Sequence, residues 1–164
     1  MKKFFVLLFF VFIFTGFKLT HNNDVIVEKI DKYKLQKLIK DRKGKLLFLN
    51  IWATWCEPCR EEFPAIVKLS NEFKDVDFVG ISVDFPEEIE SKIKPFIKNN
   101  KVNFPVYVNS FSNDEELINM LNKDWNGAIP ATFIFDKSGK LISFIEGKKS
   151  YEEFEKNIKR ARRK

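Results

Sequence analysis

Two cysteines, Cys56 and Cys59, are the residues of this chain whose spacing most clearly supports chemistry, and no other cysteine occurs in it. A C-x-x-C pair between a strand-like run and a helix-like run is typical of a thiol–disulfide redox site. The preceding run, Leu46 to Trp52, is apolar enough for a strand buried on both faces. Pro58 fits the first turn of a helix, where its missing N–H has no partner to lose. Cys56 is therefore predicted just before a helix N-terminus, a position that favours a thiolate.

The thiolate is the attacking species in disulfide exchange, so Cys56 is the predicted nucleophile and Cys59, one turn into the helix, is the predicted resolving thiol. Two other uses of the pair have less support. A structural zinc site needs about four ligands, and the chain adds a single histidine, His21, far away in the sequence. A purely structural disulfide would close too short a loop to stabilise the fold much.

The stretch WATWCEPCREEFP resembles the active site of the TlpA/ResA group of thioredoxin-like proteins. The tryptophan before the first cysteine, the Glu-Pro pair between the cysteines and the E-F-P that follows all match together, and the resemblance covers Leu46 to Glu146. It implies an α/β, thioredoxin-like fold with a central mixed β-sheet flanked by helices and the added strand–helix insertion of this group. It also implies an extracytoplasmic thiol–disulfide oxidoreductase, usually tethered to a membrane. No metal and no cofactor are expected beyond the Cys56–Cys59 disulfide itself.

Carboxylates beside the pair are expected to tune it. The charge of Glu57, between the cysteines, should disfavour the Cys56 thiolate and make the couple more reducing, and Pro58 is assigned to the same tuning. Alternatively, Glu57 is a solvent-facing acid that suits the helix dipole. Glu62 shares a helical stripe with Cys59 and should lean toward the sheet, where a partly buried carboxylate could move protons during exchange. The matching glutamate of ResA-like proteins is held to do this; the alternative is an exposed acid.

Asn50 is the one polar residue in the buried run. Ordinary thioredoxins carry an aspartate there that assists the resolving cysteine, but asparagine does not titrate, so hydrogen bonding within the core is expected instead. The resemblance also implies a cis peptide bond at Ile129-Pro130, opposite the cysteines and ahead of a strand from Ala131 to Phe135. An extended substrate can pair with backbone beside such a proline. Ile129, Pro130 and Trp55 are therefore the predicted substrate contacts.

The remaining elements fit an α/β domain. Further strands are predicted at Val25 to Val27, Val76 to Val83, Phe104 to Val108 and Leu141 to Ile145, the last forming a hairpin with the strand before it. Helices are predicted at Tyr33 to Lys43, within Asp84 to Val102 with a break at Pro95, at Asp114 to Leu121 with Asp114 as N-cap, and at Tyr151 to Arg163. Pro64 is expected to kink the helix that carries the cysteines.

Residues 1–20 are interpreted as a signal peptide or N-terminal membrane anchor, and residues 21–164 as one thioredoxin-like domain. Two lysines precede an unbroken apolar run from Phe4 to Phe14, which is the layout of a secretory signal. The run is short for a membrane span, which needs about 17–25 residues, although an uncleaved anchor extending to Leu19 stays open. The lysines favour a cytoplasmic N-terminus. The domain is thus expected to be exported, either periplasmic or anchored and facing the extracytoplasmic side.

The predicted activity is reduction of protein disulfides in a compartment that otherwise oxidises them. The resemblance implies a membrane electron donor of the CcdA/DsbD type and tasks such as cytochrome c maturation or envelope redox homeostasis. The chain has a formal charge of +6, and its basic residues are most concentrated at the C-terminus. This basic segment is interpreted as a solvated helix end, and contact with anionic lipid is the alternative. Nucleic acid is not an expected partner for an exported chain.

Three other activities remain as alternatives. A disulfide-donating oxidase would keep its thiolate strongly stabilised, and Glu57 argues against that. A thiol-based copper chaperone or assembly factor would add a histidine ligand from the fold, and none follows His21. A peroxidase of the peroxiredoxin kind wants threonine or serine three residues before its cysteine, where this chain has Ala53.

Overall fold

The structure is a computed structural model, and it describes residues 25–163. Its strands are β1 (Val27–Ile30), β2 (Leu46–Trp52), β3 (Val76–Ser82), β4 (Val106–Asn109), β5 (Ala131–Phe135) and β6 (Leu141–Glu146). Its helices are α1 (Lys32–Lys40), α2 (Glu57–Glu72), α3 (Lys94–Asn99), α4 (Asp114–Leu121) and α5 (Tyr151–Ala161). The predicted targeting segment lies outside the described residues. Within residues 25–163, none of the helices has the length and apolarity that crossing a bilayer requires.

All six strands form one mixed sheet in the order β1-β4-β3-β2-β5-β6. The first four of these pair in parallel, and β5 and β6 run antiparallel to their neighbours. Helices cover both faces: Phe48 of β2 packs in a cluster with Phe63 of α2, whereas the next residue, Leu49, packs with Leu35 of α1. This alternation follows from the two-residue period of a strand. The predicted mixed sheet flanked by helices is confirmed.

Strand β2 is the centre of the sheet and carries the chain to the cysteines. Every residue from Leu46 to Trp52 is buried, as the apolar run predicted. It pairs in parallel with β3 and antiparallel with β5, so its backbone groups are bonded on both edges. The end of β2 is thereby fixed, and the turn that follows it starts from a rigid support.

Several predicted element ends were wrong, and so was the predicted N-cap of α4, whose bounds match the prediction. The first strand, predicted at Val25 to Val27, is Val27–Ile30, because these are the residues that pair with β4. Helix α1 ends at Lys40, since Lys43 and Gly44 take positive φ angles of 48° and 78°. Strand β4 begins at Val106, because the proline before it has no N–H for a ladder bond. Helix α4 is capped by Asn113, whose side chain accepts the Glu116 N–H at 2.9 Å, and not by the residue after it.

The segment after β3 also differs from the prediction of one helix broken at Pro95. A 3₁₀ turn (Pro86–Glu88) leads into a π-helical turn (Ile89–Ile93), and α3 follows. Pro95 lies in the first turn of α3, where a missing N–H costs nothing. The proline therefore marks a helix start. Helix α2, by contrast, continues through Pro64.

Candidate active site

The two cysteines form a disulfide at the N-terminus of α2, with an S–S distance of 2.04 Å. Cys56 is the N-cap residue, and its Sγ accepts the backbone N–H of Cys59 at 3.3 Å. Cys56 retains 5% of its surface and Cys59 retains none. An incoming group therefore meets Cys56 first, and a negative charge on its sulfur would face the helix N-terminus. The predicted placement of Cys56 just before the helix is confirmed.

The turn between β2 and α2 presents Trp55 to solvent. The Cys56 N–H donates to the Ala53 carbonyl at 3.2 Å, which closes the turn. Trp55 lies inside it and is 64% exposed, unusually open for so large an apolar side chain. The Thr54 hydroxyl donates to Oδ1 of Asp84, just after β3, at 2.6 Å and not to the cysteine sulfur. This arrangement gives no support to the peroxidase alternative.

The Ile129-Pro130 peptide bond is cis, as the resemblance implied. The next residue, Ala131, pairs with Ile51 near the end of β2, which places the proline beside the strand that leads to the cysteines. The Pro130 carbonyl accepts the Gly147 N–H at 2.8 Å. Among residues 25–163, no backbone group bonds to Ile129. Backbone groups able to pair with an extended peptide thus belong to Ile129.

Glu62 lies on the buried side of α2 and is 2% exposed, in accord with its position on the helical stripe of Cys59. Its Oε1 accepts from Asn50 Nδ2 at 2.9 Å, and its Oε2 accepts the Lys149 backbone N–H at 3.1 Å. Burial raises the pKa of Glu62 from 4.5 to about 7, against the lowering effect of these two hydrogen bonds. The group can therefore hold or release a proton near neutral pH.

Asn50 bonds within the core, as predicted. Its Nδ2 donates to Glu62 and also to Thr132 Oγ1 at 3.1 Å. Its Oδ1 is buried and has no partner among the described residues. Sequence reasoning missed Thr132 and the Lys149 backbone as members of this network. The position of Thr132 directly across from Asn50 in the β2–β5 pairing is the signal that could have found it.

The other acids near the pair are exposed. Glu57 and Pro58 lie in the first turn of α2 and face solvent. Glu61 forms an ion pair with Lys148 at 2.5 Å on the surface. Glu57 is thus solvent-facing and lies next to Cys56 in the chain, and its tuning of the redox couple stays a prediction.

A mixed sheet that carries a C-x-x-C disulfide at a helix N-terminus, beside a cis-proline, defines a thioredoxin-fold thiol–disulfide oxidoreductase. The chain belongs to the AhpC/TSA family, whose profile matches residues 14–144, and within it to the TlpA/ResA-like proteins. It is 30% identical over 135 residues to thiol-disulfide oxidoreductase ResA of Bacillus thuringiensis subsp. konkukian, covering 82% of this chain and 73% of that protein.

Two further relatives agree with this assignment. Thioredoxin-like protein YneN of Bacillus subtilis is 31% identical over 122 residues, which is 73% of this chain and 67% of that protein. A thioredoxin-family thiol:disulfide interchange protein from Chlorobium tepidum has a solved structure with a TM-score of 0.62 and 32% identity. The match covers 73% of this chain and 81% of that chain. The chain is accordingly a thiol–disulfide oxidoreductase.

Proposed function

We propose that this oxidoreductase is exported and works as a reductase of protein disulfides. The observation that carries the proposal is the arrangement on α2: Cys56 caps the helix, Cys59 lies buried behind it, and the acid Glu62 is buried one turn further on. This arrangement supplies an accessible nucleophile, a protected resolving thiol and a group that can take its proton.

The reaction starts from the reduced protein. The Cys56 thiolate attacks one sulfur of a substrate disulfide, forming a mixed disulfide and releasing the other substrate sulfur as a thiolate. The Cys59 thiol gives its proton to the Glu62 carboxylate and attacks Cys56 Sγ as a thiolate. The protein disulfide forms, the second substrate sulfur leaves, and protonated Glu62 returns its proton to a departing thiolate.

The substrate is an extended polypeptide around its own disulfide. Support comes from the backbone groups of Ile129 beside the cis-Pro130 bond, which have no backbone partner among residues 25–163 and which an added strand could use. Trp55, which directly precedes Cys56 and is exposed, offers an apolar surface for the same peptide. These three residues are the proposed substrate contacts.

The proposed direction rests on charge. Glu57 adds a negative charge directly next to Cys56, which disfavours the thiolate of the reduced pair. A couple whose reduced form is not stabilised tends to give up its electrons, in contrast to strong oxidants, whose reduced form is stabilised. Pro58 fixes the backbone of the first helical turn, so the dithiol does not relax away from the helix N-terminus.

The location rests on the sequence of residues 1–20, whose basic start and apolar run fit a signal peptide or an anchor. Residues 21–164 would then fold outside the cytoplasm. An exported reductase needs electrons from across the membrane, so a donor of the CcdA/DsbD type is the proposed partner. Fusing the full chain to alkaline phosphatase, which is active only where its disulfides form, tests the location: phosphatase activity is expected, and a fusion that is produced but inactive would contradict export.

The reduction potential of the Cys56–Cys59 couple tests the direction. Equilibration with glutathione or dithiothreitol at pH 7 should give a value near or below about −230 mV. Glu57→Gln should make the potential less negative by about 6–20 mV, because a unit charge near a helix N-terminus is worth about 0.3–1 kcal/mol. Glu115→Gln, in the first turn of α4, is the matched control and should leave the potential unchanged. A value near about −120 mV would make the protein a disulfide donor instead.

A further inference from the structure

The parallel pairing of β2 and β3 extends past the sheet. Trp52 pairs with Ser82, and the Val83 N–H donates to the Trp52 carbonyl at 2.9 Å. The same offset brings Thr54, in the turn before the cysteines, next to Asp84, just after β3. Two chain segments that leave the sheet side by side are thus joined at the active-site edge.

Asp84 makes this junction through a buried carboxylate that the exchange reaction itself does not use. The side chain is 2% exposed. Its Oδ2 accepts the Thr54 backbone N–H at 2.9 Å, and its Oδ1 accepts the Thr54 hydroxyl at 2.6 Å. The Ser82 hydroxyl also donates to Oδ2 and accepts the Asp84 N–H at 2.9 Å. Among residues 25–163, no salt bridge reaches this carboxylate.

A buried carboxylate is costly unless donors surround it. Here the donors are neutral, and two of the three belong to one residue, Thr54. Such a bidentate contact fixes both the position and the rotation of that residue. Because Thr54 lies between Ala53 and Cys56 in a turn closed by one 3.2 Å backbone bond, holding Thr54 holds the turn.

We propose that Asp84 is a positioning residue for thiol–disulfide exchange. Its hydrogen bonds to Thr54 keep the turn in the conformation that places Cys56 Sγ within hydrogen-bond distance of the Cys59 N–H at the start of α2. The same hydrogen bonds fix the position of Trp55, the exposed aromatic residue between Thr54 and Cys56. Asp84 acts through hydrogen-bond geometry, and its charge is not needed.

The variant Asp84→Asn distinguishes the effect of the hydrogen-bond geometry from the effect of the carboxylate charge. The asparagine carbonyl oxygen can occupy the Oδ2 place and accept the Thr54 N–H, while its NH₂ group donates to the Thr54 hydroxyl oxygen, which accepts as well as donates. Asp84→Asn thus keeps both contacts with Thr54 and removes the charge. Asp84→Ala removes the contacts and the charge together.

The two variants are compared by the rate at which the reduced full-length protein reduces a disulfide-bonded peptide at pH 7. Asp84→Ala should be about tenfold slower, because a free turn lets Cys56 leave the helix N-terminus and lowers its thiolate fraction. Asp84→Asn should stay within about twofold of the parent protein, since its hydrogen bonds remain. An Asp84→Ala protein that exchanges at the parent rate would overturn the proposal.

The pH profile of iodoacetamide alkylation gives a second readout, made in a Cys59→Ser background so that Cys56 is the reacting thiol. If Asp84 acts by positioning the turn, the midpoint of alkylation moves to higher pH in Asp84→Ala and does not move in Asp84→Asn. If Asp84 acts through its charge, removing that negative charge favours the Cys56 thiolate, so the midpoint moves to lower pH in both variants. The latter result would also overturn the proposal.

Two further comparisons guard against a general loss of folding. Thr54→Val removes the hydroxyl contact but keeps the backbone N–H, and should slow exchange severalfold. Thr54→Ser keeps the hydroxyl and should exchange at the parent rate. Asp77→Ala is the matched control: Asp77 lies at the start of β3, the strand that ends just before Asp84, and pairs with buried Arg42 at 2.7 Å. It should lower the unfolding midpoint and leave exchange unchanged. Slow exchange in Asp77→Ala, or parent rates in Thr54→Val, would contradict a specific role for the Asp84–Thr54 contact.

Discussion

Replacing Glu62 by glutamine should change how the stability of the oxidised protein depends on pH. The pKa of Glu62 is raised by burial from 4.5 to about 7, a shift that corresponds to about 3 kcal/mol. Between pH 4.5 and about pH 7, Glu62 holds a proton in the folded protein that it has already released in the unfolded chain. The free energy of unfolding therefore falls as pH rises, by up to about 1.4 kcal/mol per pH unit. Above pH 7 the full cost of the ionised carboxylate is present.

Glutamine removes this titration but does not keep every contact. In the parent protein Asn50 Nδ2 and the Lys149 N–H each donate to a different oxygen of Glu62. Glutamine has one acceptor oxygen, so one donor loses its partner at a cost of about 1 kcal/mol. Glu62→Gln should thus be less stable than the parent by about 1 kcal/mol near pH 4.5. It should be more stable by about 2 kcal/mol near pH 8, where the parent bears the ionisation cost.

Urea unfolding of the oxidised proteins at intervals from pH 4.5 to 8.5 measures the two curves. Glu61→Gln is the control, since Glu61 is the next residue in the chain but is exposed and paired with Lys148. Its curve should run parallel to that of the parent. If the difference between Glu62→Gln and the parent stays constant over the whole range, the carboxylate ionises normally and the argument from burial is wrong. The same variant should alter the pH profile of disulfide exchange, whereas an unchanged profile would leave Glu62 with no part in proton transfer.

Other substitutions test the remaining parts of the site and the packing beneath it. Cys59→Ser should trap a mixed disulfide between Cys56 and a substrate, visible by mass spectrometry, whereas trapping by Cys56→Ser instead would reverse the assigned roles. Asn50→Asp would place a second acid about 3 Å from Glu62, so the oxidised protein should lose about 2–4 kcal/mol in urea unfolding at pH 8 but little at pH 5. Gly80→Ala would put a methyl group 3.1 Å from a buried indole nitrogen and should cost about 1–3 kcal/mol, measured as the unfolding free energy; a neutral result would mean that the indole moves aside.

The sequence predicted the central part of the fold because local signals and tertiary structure agree there. The apolar run at Leu46–Trp52 can only be satisfied by burial on both faces, and that is where β2 lies. Cys56 precedes a proline-containing helical turn, and it caps α2. The hairpin of β5 and β6 likewise follows from two apolar runs around a turn.

Prediction failed where neighbouring signals compete. Asn113 and Asp114 are both good N-cap residues, and in the structure the first of them caps α4. Pro95 was interpreted as a helix breaker, but proline is equally suited to a helix start, and the irregular turns before it supply that start. A single residue type thus has two meanings that only the surrounding packing distinguishes.

The buried polar network of the site was beyond local reasoning for a different reason. Asn50, Glu62 and Thr132 come from three separate elements and Lys149 from the turn after β6, and their contacts depend on how β2, β5 and α2 are stacked. The helical stripe predicted that Glu62 faces inward, but no pattern in the sequence names its partners. Asp84 escaped notice for the same reason, since its contact with residue 54 exists only through the parallel register of β2 and β3.

This network has a consequence for how the acid is coupled to the rest of the site. The turn after β6 donates to Glu62 through the Lys149 N–H and to the Pro130 carbonyl through the Gly147 N–H. The acid and the cis-proline segment are therefore bonded to residues only two positions apart in one turn. A charge change on Glu62 strengthens or weakens its bond to Lys149, because a carboxylate accepts an N–H bond more strongly than a neutral acid does. The proposed proton transfer by Glu62 would thus be linked, through this turn, to the position of the proposed peptide-binding backbone at Ile129.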